Sequence, residues 1–417
     1  MNYIFIDKKE GIEKVGIVEN NRLVEFYIDY DNEHKLVGNI YRGRVVNVLP
    51  GMEAAFVDIG EGRNAYLYIK NVIPKGSKYI KGSVSINDLI KNGQEIIVQV
   101  IKEPINNKGA KVTAHVTLPG RFIVLTPFSK KISVSRKIDN TKEIERLKNI
   151  GQKIQVDDIG MIFRTRSEEV PEDIITDEYY RLISLYRKIE REKNYLPCPK
   201  LIYKEMDLAH KIIRDSFSEE IEKVIVNNKD KYKSLLEYVN MICPYLRDRI
   251  YYDEEFDILY NETIMKGINT ALNRKVHLKN GGYIVIDETE ALTAIDVNTG
   301  KFIGKKDLED TVVQTNLEAC EEIARQIRLR DISGIIIIDF IDMKKDSDIT
   351  LVLEKLKKDL KGDRNRANIV DITKLGLVEL TRKKIRNSLS VNFIKKCPNC
   401  DGRGKILETF IDKSSNF

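Results

Sequence analysis

Two stretches carry residues whose types and spacing suit phosphate chemistry. In Ala294-Ile295-Asp296-Val297-Asn298-Thr299-Gly300-Lys301-Phe302, Asp296 and Asn298 stand two apart on an expected strand and so share one face. In Gly334-Ile335-Ile336-Ile337-Ile338-Asp339-Phe340, Asp339 ends a continuous β-branched run, which reads as a strand buried on both faces. A carboxylate closing such a strand needs a partner or a cation. Two strand-end Asp residues of one sheet can hold a single Mg²⁺ with water in its other positions. An ion so placed polarises a phosphate and acidifies its bound water. A single strand-end Asp is more often a turn or a cap; it is the pairing with Asn298 that favours catalysis. Asp287, Glu288 and Asp342 are nearby carboxylates, as supporting groups or plain surface.

A third stretch, Cys397-Pro398-Asn399-Cys400-Asp401-Gly402-Arg403-Gly404, has the C-x-x-C-x-G-x-G form of a zinc knuckle. It offers two thiolates, whereas structural zinc wants four ligands. Cys320 falls within a helical pattern, and Cys198 and Cys243 lie beside prolines, so none completes the site well. A half-site of this kind suggests a second half from another copy across a two-fold axis. The alternative is a reduced, metal-free turn.

Around these groups the pattern divides. Residues 1–35 alternate as short strands. Strands at 38–48, 53–60, 64–69 and 95–101, separated by Gly-containing turns, suggest a small barrel. Phe56 and Tyr66 can present rings on its surface, with Arg42, Arg44 and Lys108 near them, the combination that binds single strands by stacking and phosphate contacts. Strand aromatics more often belong to a core. Helical periodicity begins near Asp173 and covers 205–245, strands return at 283–286 and 292–297, and an amphipathic helix follows over roughly 306–330.

The chain has 417 residues, 42% hydrophobic and 32% charged, which fits a multidomain α/β protein and not a disordered one. No apolar run reaches the roughly 20 residues of a spanning helix, and the N-terminus lacks the features of a signal peptide. Five cysteines are too few and too scattered for a disulfide framework, which implies a reducing, cytoplasmic setting. The net charge is +6, but residues 361–405 alone carry twelve basic against four acidic residues, concentrated in Thr381-Arg382-Lys383-Lys384-Ile385-Arg386. Arg121, Lys130, Lys131, Arg136 and Lys137 make a second patch. Two such patches point to a nucleic acid, without separating RNA from DNA.

With these motifs in the order seen, together with Gly376-Leu377-Val378-Glu379-Leu380-Thr381-Arg382, the chain resembles the ribonuclease E/G family of bacterial endoribonucleases over residues 1 to about 407, closest to the shorter, ribonuclease G type. The resemblance implies a ribonuclease-H-like subdomain split between 1–35 and 210–271, an OB-fold RNA-binding domain at 36–114, and a 5′-sensor region at 115–209. A deoxyribonuclease-I-like α/β subdomain at 272–393, a zinc link at 394–407 and a tail at 408–417 complete it. It assigns Asp296 and Asp339 to Mg²⁺ and gives Asn298 the positioning of carboxylate and scissile phosphate. RNA contact falls to Phe56, Tyr66 and Lys108, and the 5′-monophosphate pocket to Gly120, Val124, Arg164, Thr165 and Arg366. Cys397 and Cys400 would share Zn²⁺ between two chains. Arg166 follows the Arg-Thr pair where a small residue is usual, so the pocket is expected to be more basic. The sequence stops ten residues after Leu407, where relatives continue into a small domain that pairs dimers; a homodimer is expected and a tetramer is in doubt. The implied activity is Mg²⁺-dependent cleavage of single-stranded RNA to 5′-phosphate and 3′-hydroxyl ends, stimulated by a 5′-monophosphate, in rRNA processing and mRNA decay. A non-catalytic RNA-binding protein is the different-class alternative, which has no need of the Asp296, Asn298 and Asp339 set. Metal chemistry alone leaves a deoxyribonuclease open.

Overall fold

A computed structural model describes the chain apart from residues 33–34, 74–83, 105–107, 196, 301–307, 366, 396, 401, 403 and 405–417. It divides into two units.

One unit comprises residues 1–30, 219–233 and 248–417. Its first sheet has five strands in the order Ile250–Tyr252, Lys223–Val226, Tyr3–Lys9, Ile12–Glu19, Arg22–Tyr30. The Lys223–Val226 strand runs parallel to Tyr3–Ile6, so the region read as helical over 205–245 holds a strand between the helices Leu208–Ser216 and Lys229–Ile242. The apolar run Val224-Ile225-Val226 is as short as a strand should be, and its buried register against β-strand Tyr3–Lys9 overrides the helical flanks.

The second sheet of this unit positions the site. Its order is Lys275–His277, Tyr283–Glu288, Leu292–Asn298, Gly334–Asp339, Val378–Arg382, Ala367–Ile372. Ile284, Ile286, Ile295, Val297, Ile336, Ile338, Val378 and Leu380 point to one face. There they meet Ala319, Cys320, Ile323 and Ile327 of helix Leu308–Leu329 and Val352 and Leu356 of helix Asp346–Leu360. Alternate residues look the other way, as strand geometry requires. Ile335 is 50% exposed and Ile337 half-buried. The Ile run is therefore covered on one face and not on both, because both helices lie on the same side. Asp339 is exposed, so burial does not oblige it to find a partner.

The other unit comprises residues 31–218 and 234–247. Strands Ile40–Leu49, Ala54–Asp58, Ala65–Tyr68, Lys111–Thr113 and Glu95–Lys102 pair in that order, and the last returns to the first. This is a closed five-stranded barrel filled by Tyr41, Val45, Val57, Leu67, Val98 and Val112, with Lys200–Tyr203 added outside Ile40–Leu49. Gly109 permits the closure beside Lys108: a Cβ there would sit 2.0 Å from the Asn64 carbonyl oxygen. A four-stranded sheet follows, ordered Ile132–Val134, Gly160–Phe163, Ile123–Thr126, Leu118–Pro119, and packed by helices Thr141–Ile154 and Glu172–Tyr195.

The basic patches are smaller than their sequences suggest. Arg121 is 2% exposed and its Nη2 donates to the Phe217 carbonyl at 2.5 Å. Lys130 is paired with Asp158. Arg382 is 4% exposed and is held by Asp363 and Asp331, while Arg364 pairs with Glu25. Arg42 and Arg44 both engage Glu95. These arginines serve a backbone carbonyl or buried and local carboxylates, which a linear charge count cannot reveal.

Candidate catalytic and RNA-binding sites

Asp296 and Asp339 are direct register partners on neighbouring parallel strands, so their side chains emerge side by side on the open face of the six-stranded sheet. Asn298 Nδ2 donates to Asp296 Oδ2 at 2.8 Å. Both carboxylates are exposed. Hard oxygen donors reaching water from adjacent strands fit a Mg²⁺ that keeps several of its own waters. Among the described residues no cluster of three or more His, Cys, Asp and Glu forms a richer metal cage. Asp287 lies on the same face but is engaged by Arg274 Nε and Nη2 at 2.5 and 2.6 Å. That hydrogen bonding holds its carboxyl below the usual range and gives it a partner of its own.

Phe56 and Tyr66 are register partners on the outside of the barrel, half-buried between inward Ala55, Val57, Ala65 and Leu67. Their rings meet edge to face at 6.1 Å, and neither belongs to the barrel core. Lys108 is exposed. Lys111 pairs in register with Tyr66 and adds a cation to this face; its strand alternation was visible in the sequence, but nothing there marked its neighbour. This face of the barrel therefore presents two rings with Lys111 beside them, a surface suited to a single strand.

The four described residues expected at the 5′ end come from one sheet and its loops. Val124 pairs with Ile162, and Arg164 Nη1 donates to the Gly120 carbonyl at 2.6 Å. Thr165 Oγ1 lies 3.1 Å from Ser135 Oγ. Arg366 lies outside the described residues. Sequence reasoning missed two carboxylates here. Asp215 pairs with Arg164 at 2.7 Å and with Arg214 at 3.0 Å. Burial alone would raise its carboxyl, but the two guanidiniums outweigh this and hold it below the usual range. Glu178, 2% exposed, accepts the backbone N–H groups of Arg121, Phe122 and Ile123 at 2.6, 2.7 and 2.8 Å, clamping the loop after Gly120. Arg166 Nε donates to the Asp215 carbonyl at 2.7 Å, so part of its added charge is spent on the backbone.

Cys397 is exposed and Cys400 half-buried. The Gly404 N–H donates to Cys400 Sγ at 3.3 Å. The Cys400 and then the Asn399 backbone N–H groups hold the Cys397 thiol below its ordinary range. Two sulfurs inside a turn that donates N–H groups to them suit a thiophilic metal. Cys243 and Cys320 are buried, and Cys198 and Cys320 lean on backbone carbonyls. A groove of about 660 Å³ along Glu172–Tyr195, lined by Tyr180, Ile183, Arg187 and Arg191, contains none of the predicted residues.

An OB-type barrel with an aromatic outer face, joined in one chain to an α/β sheet with paired strand-end carboxylates, defines a nucleic-acid-processing protein. The Ribonuclease E/G family pattern matches residues 117–385, and the S1 RNA binding domain pattern matches residues 35–117. The chain is 38% identical to Ribonuclease G of Haemophilus influenzae over 401 residues, covering 94% of this chain and 82% of that protein. It is also 38% identical to Ribonuclease G of Escherichia coli K12 over 405 residues, 95% and 83% of the two chains. Against Ribonuclease E of Synechocystis it is 37% identical over 377 residues, 89% of this chain and 56% of that one. The chain belongs to the ribonuclease E/G family.

Proposed function

We propose that the chain is a Mg²⁺-dependent endoribonuclease that hydrolyses single-stranded RNA to 5′-phosphate and 3′-hydroxyl ends, faster on substrates with a 5′-monophosphate, in the cytoplasmic processing of rRNA and decay of mRNA. The observation that carries the reading is the adjacency of Asp296 and Asp339 on the open sheet face, with Asn298 bonded to Asp296. Asp296 and Asp339 would hold Mg²⁺, which supplies Lewis-acid polarisation of the scissile phosphate. Asn298 fixes the Asp296 carboxylate through its amide donor, which restricts the oxygen left to face a ligand. Phe56 and Tyr66 stack bases while Lys108 and Lys111 neutralise backbone phosphates. Arg164 and Thr165, with Gly120, Val124 and Arg366, receive the terminal phosphate. A guanidinium fork and a hydroxyl are suited to that group.

In this reading the five-stranded sheet belongs to a ribonuclease-H-like subdomain and the six-stranded sheet to a deoxyribonuclease-I-like one. Cys397 and Cys400 form half of a Zn²⁺ site completed by a second copy, giving a homodimer. An exposed Cys397 beside a half-buried Cys400, with Cys243 and Cys320 buried, supports that arrangement.

One fluorescent single-stranded sequence, made as RNA and as DNA, tests the function with Mg²⁺ and with EDTA. Cutting of RNA alone, and only with Mg²⁺, is expected. Equal cutting of both polymers would make the chain a general nuclease. Binding without cutting would leave an RNA-binding protein.

A further inference from the structure

The open face of the six-stranded sheet carries more than the carboxylate pair. His277, Tyr283 and Asn298 are successive register partners across three strands. Lys275, Val285, Asp296 and Asp339 form the adjoining row. Val276, between Lys275 and His277, is 2% exposed against the helix-covered side, which fixes both of its neighbours on the open side. Lys275 and His277 are exposed and Tyr283 is half-buried. The Lys275 Nζ sits 3.5 Å from the Tyr283 ring centroid. The His277 ring stands 6.3 Å from it, edge to face at 61°. Among the described residues Lys275 makes no ion pair, and the carboxylate of the same strand pair, Asp287, is taken by Arg274.

We propose that Lys275, His277 and Tyr283 form a nucleotide subsite beside the cleavage centre, receiving the nucleotide that flanks the scissile phosphate. This rests on the reading of Asp296 and Asp339 as that centre. Adjacent strands lie about 4.8 Å apart, so Tyr283 stands one strand from Asn298, a step comparable with the move from one nucleotide to the next. A cation at that point favours the anionic backbone where it runs on past the carboxylate pair. Lys275 is the cation, and its contact with Tyr283 holds it over the sheet through the ring quadrupole. His277 offers an exposed planar ring for a base. Tyr283 touches both and acts as the positioning residue.

Two measurements test this. Cleavage is followed on a single-site 5′-hydroxyl RNA, intact or with an abasic residue on either side of the cut bond. Binding is followed in EDTA with a non-cleavable 2′-O-methyl oligomer. His277→Ala is expected to lower affinity and kcat/KM on intact RNA by roughly 5- to 30-fold, as loss of one stacked base does. On the substrate abasic at the flanking position the variant and the parent should be equal. Lys275→Ala should flatten the dependence of log affinity on log salt by about 0.7, one single-strand phosphate contact. Tyr283→Leu should reproduce both losses and Tyr283→Phe should restore them. Both Lys275 and His277 are exposed, so their variants inform even if Tyr283→Leu does not fold. The subsite is overturned if the His277→Ala penalty is the same on intact and abasic RNA, or if the Lys275→Ala salt slope is unchanged, while the parent cuts RNA and Asp296→Asn binds without cutting. If the parent itself does not cut RNA, the underlying reading fails instead.

Discussion

Glu178→Gln separates what the loop after Gly120 contributes to stability from what it contributes to the proposed recognition of a 5′ end. In the parent, Glu178 Oε1 accepts the Arg121 N–H, and Oε2 accepts those of Phe122 and Ile123. Glutamine has one acceptor oxygen. Its better flip keeps Phe122 and Ile123 and turns an NH₂ toward the Arg121 N–H, stranding a buried donor at a cost of about 1–3 kcal/mol. The two retained bonds lose their charge assistance, roughly 1 kcal/mol each. Relief from burying a carboxylate offsets part of this, although the Arg181 guanidinium 4.0 Å away then loses a counter-charge. A net loss of about 2–3 kcal/mol lowers the melting temperature by roughly 4–10 °C. The same change should collapse the ratio of cleavage rates on 5′-monophosphate and 5′-hydroxyl RNA toward one, with the 5′-hydroxyl rate within about threefold of the parent. Calorimetry and paired single-turnover assays supply both values. A lowered melting temperature with an intact ratio would refute the link between loop and pocket. An unchanged melting temperature would refute the energetic account of the clamp.

Asp296→Asn and Asp339→Asn should each cut cleavage with Mg²⁺ by about 100-fold or more while leaving oligomer affinity, read by fluorescence anisotropy, within about threefold; full activity in either removes that residue from the site. Arg164→Ala should equalise the rates on 5′-monophosphate and 5′-hydroxyl RNA, because it deletes the charge-assisted contacts to the terminal phosphate. Removing zinc with a chelator, or the double change Cys397→Ser/Cys400→Ser, should convert dimers to monomers by light scattering, with metal analysis falling from half a zinc per chain to none; a metal-free dimer would place the interface elsewhere. Arg382→Met should destabilise by about 3–5 kcal/mol at pH 7, since it strands Asp331 and Asp363. Burial raises Asp363, but Arg382 outweighs this and depresses its folded value, so the stabilisation is present above the unfolded carboxylate pKa and disappears as pH falls through the folded one. Urea midpoints should therefore drop more steeply below about pH 5 in the parent than in the variant.

The barrel was legible because its strands are short, alternate cleanly and are separated by glycine turns; whether Phe56 and Tyr66 faced outward was open until their pairing beside buried Ala55, Val57, Ala65 and Leu67 placed them there. The carboxylate pair was half legible. The residue types at two strand ends were plain, but their adjacency depends on a parallel pairing of segments about 40 residues apart. The pairing of Tyr3–Ile6 with Lys223–Val226 joins segments some 220 residues apart and no local periodicity records it; only the resemblance, with its split of 1–35 and 210–271, brings the two segments together. The double burial of the Ile335–Ile338 run was a fair inference from composition. It failed because composition says that a strand is central, not how many of its faces are covered. The arginines failed for a related reason. Arg121 and Arg382 look like surface charge in sequence, and only the fold shows that Phe217, Asp331 and Asp363 enclose them.

The pairing of Arg164 with Asp215 has a consequence for which phosphates can be told apart. The guanidinium is not an empty cationic hole: its Nη1 is already shared between the Gly120 carbonyl and the Asp215 carboxylate. A phosphate seated there must exchange with, or crowd, an anion supplied by the protein. An internal phosphodiester carries a single negative charge and gains little from that exchange. A terminal monophosphate carries about −1.5 to −2 near neutral pH and outbids a carboxylate. If this pocket receives the RNA end as proposed, the resident Asp215 would act as a threshold that an internal phosphodiester does not cross and a terminal monophosphate does. Because the second ionisation of a phosphomonoester lies near pH 6, that discrimination weakens as the medium becomes more acidic, while Asp215 itself, depressed by its two arginines, stays charged.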